Sequence, residues 1–163
     1  MATPTADRDA LDKLDLKILD RYQRSSRTPA EAIAAEVGLS AAAVQRRLKR
    51  LRETGVIQNE AGQIDPAAVG LAVTCLVAVE LDRESGNGVD RFRSRVSQYD
   101  EVQQCYYVTG QADFMLIVNC KDMAAYEAFT REALLADGNV RSFTTSVVLE
   151  RVKVGLQLPI RIA

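Results

Sequence analysis

The spacing of apolar residues changes in the middle of this chain, and that change limits the folds available to it. Before Pro66 the apolar residues recur at the spacing of amphipathic helices, whereas after it apolar runs of strand length alternate with helical segments. Asp65-Pro66 and Gly70 are residue types that commonly interrupt regular structure. We therefore predict two domains, residues 1–66 and residues 67–163, the first helical and the second of mixed α and β structure.

Three helices are predicted in the first domain. The second would begin at Thr28, which can cap the helix while Glu31 closes a capping box, and it would end at Gly38. Ser40 would cap the third helix, and Gly55 would end it. The apolar faces of the first and third helices are formed by Leu11, Leu14, Ile18 and Tyr22 and by Val44, Leu48 and Leu51.

The second and third predicted helices have the layout of a helix-turn-helix. A small residue, Ala34, stands where the two helices would cross, and short side chains occupy the first turn of the third helix. Any helical domain with a solvated basic face could show this pattern, but a short hairpin predicted at residues 56–64 matches a winged arrangement and favours DNA binding. The candidate DNA-contacting residues are Ser40, Ala41, Ala42, Ala43, Gln45, Arg46, Arg47 and Arg50.

The second domain is predicted to have the order βαββαβ, a ferredoxin-like α+β arrangement. Strands are expected at residues 72–81, 102–109, 113–120 and 142–152, and helices at residues 89–98 and 123–135. The first and third strands carry apolar side chains on both of their faces, as Leu76 and Val77 illustrate. Two helices can cover only one face of such a sheet, so we expect the other face to contact a second copy of the chain in a dimer.

The turn between the second and third strands is a second candidate site. Tyr107, Thr109, Gly110, Gln111 and Asp113 bring hydroxyls, an amide, a carboxylate and accessible backbone N–H groups to this turn. These groups could bind a free amino acid, with the carboxylate facing the ammonium group. The alternative is a plain hairpin turn in which glycine provides the required φ angle, and the turn considered alone favours that alternative.

Composition excludes several other classes of protein. The chain has no histidine, which excludes Ser-His-Asp and Cys-His catalysis and histidine-ligated metals. Its 21 basic and 22 acidic side chains argue against a uniformly basic nucleic-acid coat protein. Cys75, Cys105 and Cys120 lack metal-binding spacing and are expected to be buried thiols. The sequence has no membrane-length apolar run and no signal pattern, so we expect a cytoplasmic protein. From the missing histidine and the cysteine spacing we expect that it is not an enzyme and uses no cofactor or metal.

Five motifs follow one another along the chain. They are Leu11-Asp12-x-x-Asp15-x-x-Ile18-Leu19, Gly38-Leu39-Ser40, Val44-x-Arg46-Arg47-x-x-x-Leu51, Gly55-Val56-Ile57 and Val108-Thr109-Gly110-x-x-Asp113. In this order the motifs resemble those of the Lrp/AsnC family, the leucine-responsive and asparagine-responsive transcription regulators of bacteria and archaea. The similarity covers about residues 11–158, which is almost the whole chain.

The resemblance implies a winged helix-turn-helix domain followed by a βαββαβ amino-acid-sensing domain. It implies that residues 40–50 contact DNA, and it reverses the preference at the turn, where Tyr107, Thr109, Gly110 and Asp113 become candidates for binding an amino-acid effector. It also implies dimers formed through the sheets, which in many members assemble into octamers. Two departures stand out, because Gln58-Asn59-Glu60 replaces a common Gly-aromatic pair and would bring a carboxylate near DNA phosphate, and Gln111 replaces a common glutamate.

These observations together predict a sequence-specific regulator that binds double-stranded DNA and whose assembly or DNA affinity responds to an amino-acid effector. An architectural DNA-wrapping protein without an effector is the alternative. Sirohaem decarboxylases resemble the same family in both domains, but they depend on histidine, which this chain lacks.

Overall fold

A computed structural model describes residues 11–82 and 87–162 of the chain. The described residues divide into two compact units: the first runs up to Gly62 and also takes in the residues from Lys153 onward, and the second is Gln63–Val152. The predicted division after residue 66 lies close to the first of these boundaries. The structure differs from the prediction at the second boundary, because the final segment belongs to the first unit. Residues 1–10, 83–86 and 163 of the two predicted domains lie outside the described residues.

Three α-helices form most of the first unit. They are α1 (Lys13–Tyr22), α2 (Ala30–Val37) and α3 (Ala41–Glu53). A capping box starts α1, in which the side chain of Asp12 accepts from the backbone N–H of Asp15 at 2.7 Å and the side chain of Asp15 accepts from that of Asp12 at 3.2 Å. The predicted cap of α3 is confirmed, because the Ser40 hydroxyl accepts from the Ala43 N–H at 3.2 Å.

The predicted start of α2 is wrong, and its predicted end is confirmed. Pro29, at φ −59° and ψ 146°, precedes the helix, and no side chain caps it. The predicted capping box of Thr28 and Glu31 is therefore wrong, because the helix begins one residue too late for that pair to close it. The predicted end at Gly38 is confirmed, and its φ of +73° lies in the left-handed region that favours glycine.

The core of the first unit lies between the three helices. Ala34, predicted to lie where α2 and α3 cross, and Val44, predicted on the apolar face of α3, are both buried. The other buried members of this cluster are Ile18, Tyr22, Ile33 and Leu48. Burial of one stripe of α3 leaves the opposite, polar stripe of that helix for solvent.

The segment after α3 contains no strand between residues 56 and 64, so the predicted hairpin is wrong. A second strand there would be almost entirely polar, and an isolated hairpin with so little apolar surface is not stable in water. Side chains hold the segment instead: Glu60 accepts from the Tyr22 hydroxyl and from Arg52 Nε, the latter at 3.0 Å. The backbone N–H of Ile57 donates to the Leu51 carbonyl at 3.0 Å.

Within its described residues the second unit contains four strands and two α-helices, which follow a short 3₁₀ helix, Ala67–Val69. They are β1 (Val73–Leu81), α4 (Gly88–Val96), β2 (Val102–Tyr107), β3 (Phe114–Cys120), α5 (Met123–Phe129) and β4 (Val140–Val147). The strands form one antiparallel sheet in the order β2-β3-β1-β4, which confirms the predicted ferredoxin-like α+β arrangement. A π-helical segment, Thr130–Leu135, continues α5. The last strand ends at Val147 and not at residue 152 as predicted.

The two faces of the sheet differ in burial. Alternate residues of β1 and β3 form the core beneath the helices, namely Cys75, Val77, Val79, Leu81, Phe114, Leu116, Val118 and Cys120. On the other face Leu76 is exposed and stands opposite Ile117 in register, while Ala78 stands opposite Met115 and Tyr106 continues the row on β2. We call these five residues the open sheet face. An apolar face of this kind is typical of a surface that meets another protein surface.

The three cysteines divide into two groups. Cys75 and Cys120 are buried as predicted, and burial raises the pKa of the Cys120 thiol to about 11. The prediction that Cys105 is buried is wrong, because that residue lies on β2, an edge strand, and is exposed. Within the described residues no cluster of acidic residues or cysteines could hold a metal ion, and no helix is long and apolar enough to cross a membrane.

The final segment is attached to the first unit by a side chain of that unit. Gln23, directly after α1, donates from Nε2 to the Leu158 carbonyl at 2.9 Å, and its Oε1 accepts from the Leu158 N–H at 2.8 Å. An amide side chain thus makes the pair of hydrogen bonds that a neighbouring strand would otherwise make. These two hydrogen bonds agree with the division into units, in which the segment from Lys153 onward belongs to the first unit.

Candidate functional site

Four of the exposed side chains of α3 form one row along the helix. Ala42, Gln45, Arg46 and Lys49 are all exposed, and they are spaced three and four residues apart, which puts them on one helical face. We call these four residues the outer row. Ala41 and Ala43 are half-buried beside it, and the opposite side of the helix is the buried stripe of Val44, Leu48 and Leu51.

A buried carboxylate joins α3 to α1. The side chain of Asp15 is only 1% exposed, and Arg47 Nη1 donates to its Oδ1 at 2.8 Å while Arg50 Nη2 donates to its Oδ2. Arg47 Nη1 also lies 2.6 Å from Oδ2 of Asp12. We call these four residues the Asp15 cluster. A charge taken out of water requires partners of this kind, so the cluster links the two helices strongly.

The charges of the Asp15 cluster also act on the pKa values of its members. The backbone N–H of Asp15 and the Arg47 guanidinium hold the pKa of the Asp12 carboxyl below its ordinary value. Hydrogen bonds to Asp15 and Asp12 raise the pKa of Arg47. Arg46, in contrast, makes no ion pair with any part of the chain that the structure describes. The three arginines that the sequence grouped together therefore have two different surroundings.

A second cluster fixes Glu60, which the sequence predicted would stand near DNA phosphate. The hydrogen bond from the Tyr22 hydroxyl, with Arg52 beside it, holds the pKa of the Glu60 carboxyl below its ordinary value. The Arg52 guanidinium also lies 5.6 Å from the centre of the Tyr22 ring and donates to its hydroxyl at 2.8 Å. The negative charge of Glu60 is thus compensated within the unit. No spacing or motif in the sequence indicates this cluster, because 38 residues separate Tyr22 from Glu60.

The turn between β2 and β3 exposes three of its predicted ligand-binding residues. Thr109, Gly110 and Gln111 are exposed. Gly110 has a φ of +123°, a backbone conformation that residues other than glycine rarely adopt. Asp113 is half-buried, and its Oδ2 accepts from the backbone N–H of Leu81 at 2.7 Å. The carboxylate therefore accepts the hydrogen bond of the last backbone N–H of β1, in addition to any role in ligand binding.

Tyr107, the last residue of β2, is also exposed. Its ring packs against Phe114 with a centroid separation of 5.0 Å, and the guanidinium of Arg93 lies 5.0 Å from the centre of the ring. Because Phe114 belongs to the core beneath the helices and Arg93 lies on α4, the tyrosine is on the helix-covered side of the sheet. Arg93 was not among the predicted site residues, since nothing in its spacing relates it to the turn.

A helix-turn-helix unit followed by a βαββαβ unit is the architecture of a DNA-binding transcription regulator with a ligand-binding domain. Residues 11–58 match the family model described as winged helix-turn-helix DNA-binding, and residues 74–158 match the Lrp/AsnC ligand binding domain. The chain belongs to the Lrp/AsnC family of transcription regulators, which are not enzymes.

Individual relatives extend over nearly the whole chain. An uncharacterized HTH-type transcriptional regulator of Sinorhizobium fredii is 47% identical over 93% of this chain and 90% of its own length. A transcriptional regulator of Neisseria meningitidis, solved in complex with L-methionine, is 30% identical with a TM-score of 0.84, covering 91% of this chain and 96% of its own. An AsnC family regulator of Agrobacterium tumefaciens is 33% identical with a TM-score of 0.83, covering 91% and 97% of the two chains.

Proposed function

We propose that this regulator binds specific double-stranded DNA through α3 and the turn before it, and that an amino-acid effector bound at the β2–β3 turn changes its assembly or DNA affinity. The DNA-binding part is supported above all by the outer row, which is exposed and carries the polar side chains of Gln45, Arg46 and Lys49 on a capped helix whose other side is fixed in the core. Short side chains at Ala41, Ala42 and Ala43 would let the start of α3 approach the bases in a major groove.

The Arg46→Ala substitution tests DNA recognition directly. We expect it to weaken binding to a preferred duplex by about 1–3 kcal/mol if the guanidinium contacts a base. The duplex is selected from a randomised library with the wild-type protein, and affinity is measured by gel-shift titration of the folded variant. Arg131→Ala removes the same charge from an exposed position on the second unit and serves as the control. Equal affinity of the Arg46 variant and the control would contradict the assignment of α3.

The effector part of the proposal is supported by the chemistry of the turn. Thr109, Gly110 and Gln111 are exposed there, and their hydroxyl, amide and backbone N–H groups suit a carboxylate ligand. Asp113 uses Oδ2 for the Leu81 N–H, so Oδ1 is the atom we assign to the ammonium of the ligand. The methionine complex of the Neisseria meningitidis relative supports a free amino acid as the class of effector.

Two substitutions at one position separate ligand binding from the structural role of Asp113. Asp113→Asn keeps an oxygen that can accept from the Leu81 N–H but removes the charge, whereas Asp113→Ala removes both. We expect both variants to lose the amino-acid-dependent shift in melting temperature, and only the alanine variant to be destabilised, by about 1–3 kcal/mol for the unpaired N–H. The assay is a thermal-shift screen of the wild type and both variants against the twenty amino acids.

The screen also decides between the proposal and its alternative. A wild-type protein that none of the amino acids shifts would contradict the effector proposal and favour an architectural DNA-wrapping role. A normal shift in the asparagine variant would show that the charge of Asp113 is not used by the ligand.

We further propose that the chain is a homo-oligomer whose smallest unit is a dimer formed through the open sheet face. Its apolar side chains, with Leu76 beside Ile117 at the centre, are the surface that this assembly would bury. The resemblance to the family also supports assembly of these dimers into an octamer.

The Ile117→Lys substitution tests the dimer. The wild type is expected to have at least twice the chain mass of 17.9 kDa at micromolar concentration, and the variant to shift toward the monomer, because burying an unpaired ammonium is unfavourable. Light scattering after size exclusion gives both masses. Met123→Lys, on an exposed position of α5, controls for the added charge. A wild-type protein that is monomeric at 17.9 kDa would contradict the proposal.

A further inference from the structure

We infer that the outer row carries base recognition, with Lys49 as a base-contacting residue in addition to Gln45 and Arg46, and that Arg47 and Arg50 are positioning residues that act through Asp15. This inference rests on the proposed function, because it assumes that α3 contacts DNA. It divides the basic side chains of one helix into two groups with different tasks. The division follows from their partners and not from their charge.

Lys49 has the placement of a base-contacting residue. It follows Gln45 by four residues and Arg46 by three, so the three side chains leave the helix on one face. Its side chain is 76% exposed, and its nearest acidic group, Glu53, is 3.8 Å away and mostly exposed as well. An exposed pair at that distance contributes little, so the ammonium can exchange Glu53 for a guanine acceptor without a large loss.

Arg47 and Arg50 have the opposite surroundings. Arg47 is 25% exposed and binds both Asp12 and Asp15, while Arg50, 48% exposed, binds the second oxygen of Asp15. Turning either guanidinium toward DNA would remove a partner from a carboxylate that is buried away from water. That exchange is unfavourable, so we assign both side chains to the link with α1.

The link has a geometric consequence for recognition. Arg47 and Arg50 are three residues apart, so they lie on one side of α3 and are held to a single carboxylate on α1. Two attachments on one side of a helix fix its rotation about its own axis. That rotation determines that Gln45, Arg46 and Lys49 point outward, and in this way Asp15 controls base recognition without contacting DNA.

The chemistry of the outer row predicts what each residue recognises. Arginine and lysine donate to the O6 and N7 acceptors of guanine, and glutamine can make a bidentate pair with adenine. Ala42, one turn before Arg46, has no polar group and leaves room for the bases. We therefore expect a preferred half-site with at least two guanines. Arg46 specifies one of them, and Lys49 specifies the other.

Selection of binding sequences from a randomised duplex library tests the inference on the full-length protein. Lys49→Ala is expected to reduce the preference at one base-pair position by about tenfold and leave the other positions unchanged. Lys17→Ala removes an exposed lysine from α1 and is expected to give the wild-type profile. A Lys49→Ala profile identical to the wild type overturns the inference. A wild-type protein that selects no sequence would instead contradict the proposed function itself.

The positioning residues are tested with conservative variants that are expected to fold. Arg50→Lys keeps a cation toward Asp15, and Arg50→Met does not; we expect the lysine variant to recover part of the affinity lost in the methionine variant. In both variants and in Arg47→Lys we expect a lower overall affinity and a loss of base preference that is shared by all positions, because a rotation of α3 moves Gln45, Arg46 and Lys49 together. Circular dichroism first establishes that each variant is folded at the temperature of the assay. Loss of preference at a single base position in an Arg47 or Arg50 variant overturns the division.

Discussion

Replacing Arg47 and Arg50 together by methionine is expected to lower the free energy of unfolding of the first unit by about 3–5 kcal/mol. Asp15 is 1% exposed and has these two guanidiniums as its ion-pair partners, so the double variant leaves a carboxylate buried without a cation. The backbone N–H of Asp12, at 3.2 Å, remains and compensates only partly. Urea denaturation of the full-length protein, followed by its helical circular dichroism, measures the change.

A third substitution separates the buried charge from the loss of two long side chains. Adding Asp15→Leu to the double variant removes the uncompensated charge, and we expect most of the lost stability to return. A matched double variant, Arg46→Met with Lys49→Met, changes the same total charge on the exposed side of α3 and should stay within about 0.5 kcal/mol of the wild type. Equal losses in the two double variants would contradict the importance of the Asp15 cluster.

The stability of the second unit depends on Phe114 about as strongly as that of the first unit depends on the Asp15 cluster. Phe114→Ala is expected to lower the free energy of unfolding of that unit by about 3–5 kcal/mol, because it removes a buried ring and leaves a cavity. The ring packs against Phe92 at a centroid distance of 4.7 Å and against Tyr107 at 5.0 Å. Its loss therefore weakens both the core and the support of the β2–β3 turn. Thermal and urea unfolding of the full-length protein measure the change.

Two control variants are compared with Phe114→Ala. Phe114→Leu keeps much of the apolar volume and is expected to lose clearly less stability than the alanine variant. Leu149→Ala, at an almost fully exposed position, should change stability by no more than about 0.5 kcal/mol. A Phe114→Ala variant as stable as Leu149→Ala would contradict the placement of this ring in the core.

Much of the fold could be predicted from the sequence, because burial of an apolar stripe leaves a periodic signal. The buried residues of α3 and the order of strands and helices after residue 66 both follow from that signal. Errors arose where local contacts decide the outcome. Pro29 took the position before the helix, so Thr28 could not cap it, and the polar segment after Ile57 was fixed by Glu60 and not by strand pairing.

The candidate sites were less predictable, since their side chains meet across long stretches of sequence. Spacing alone gave Arg46, Arg47 and Arg50 the same role, because the carboxylate that distinguishes them is 32 residues from Arg47 and 35 from Arg50. In the sequence Asp15 is only one member of the first motif, and nothing there indicates a partner for it on another helix. The bond between Asp113 and Leu81 also spans 32 residues, and no turn motif indicates it.

The attachment of Leu158 to Gln23 means that the first unit is not one continuous stretch of the gene. During translation the ribosome completes the whole second unit before it adds the segment from Lys153 onward, so a nascent chain lacks part of its DNA-binding unit until the second unit has been made. Chimaeric regulators joined at a single crossover near residue 66 would pair each DNA-binding unit with the final segment of the other parent. An exchange that preserves the unit needs two crossovers, the second between Val152 and Lys153.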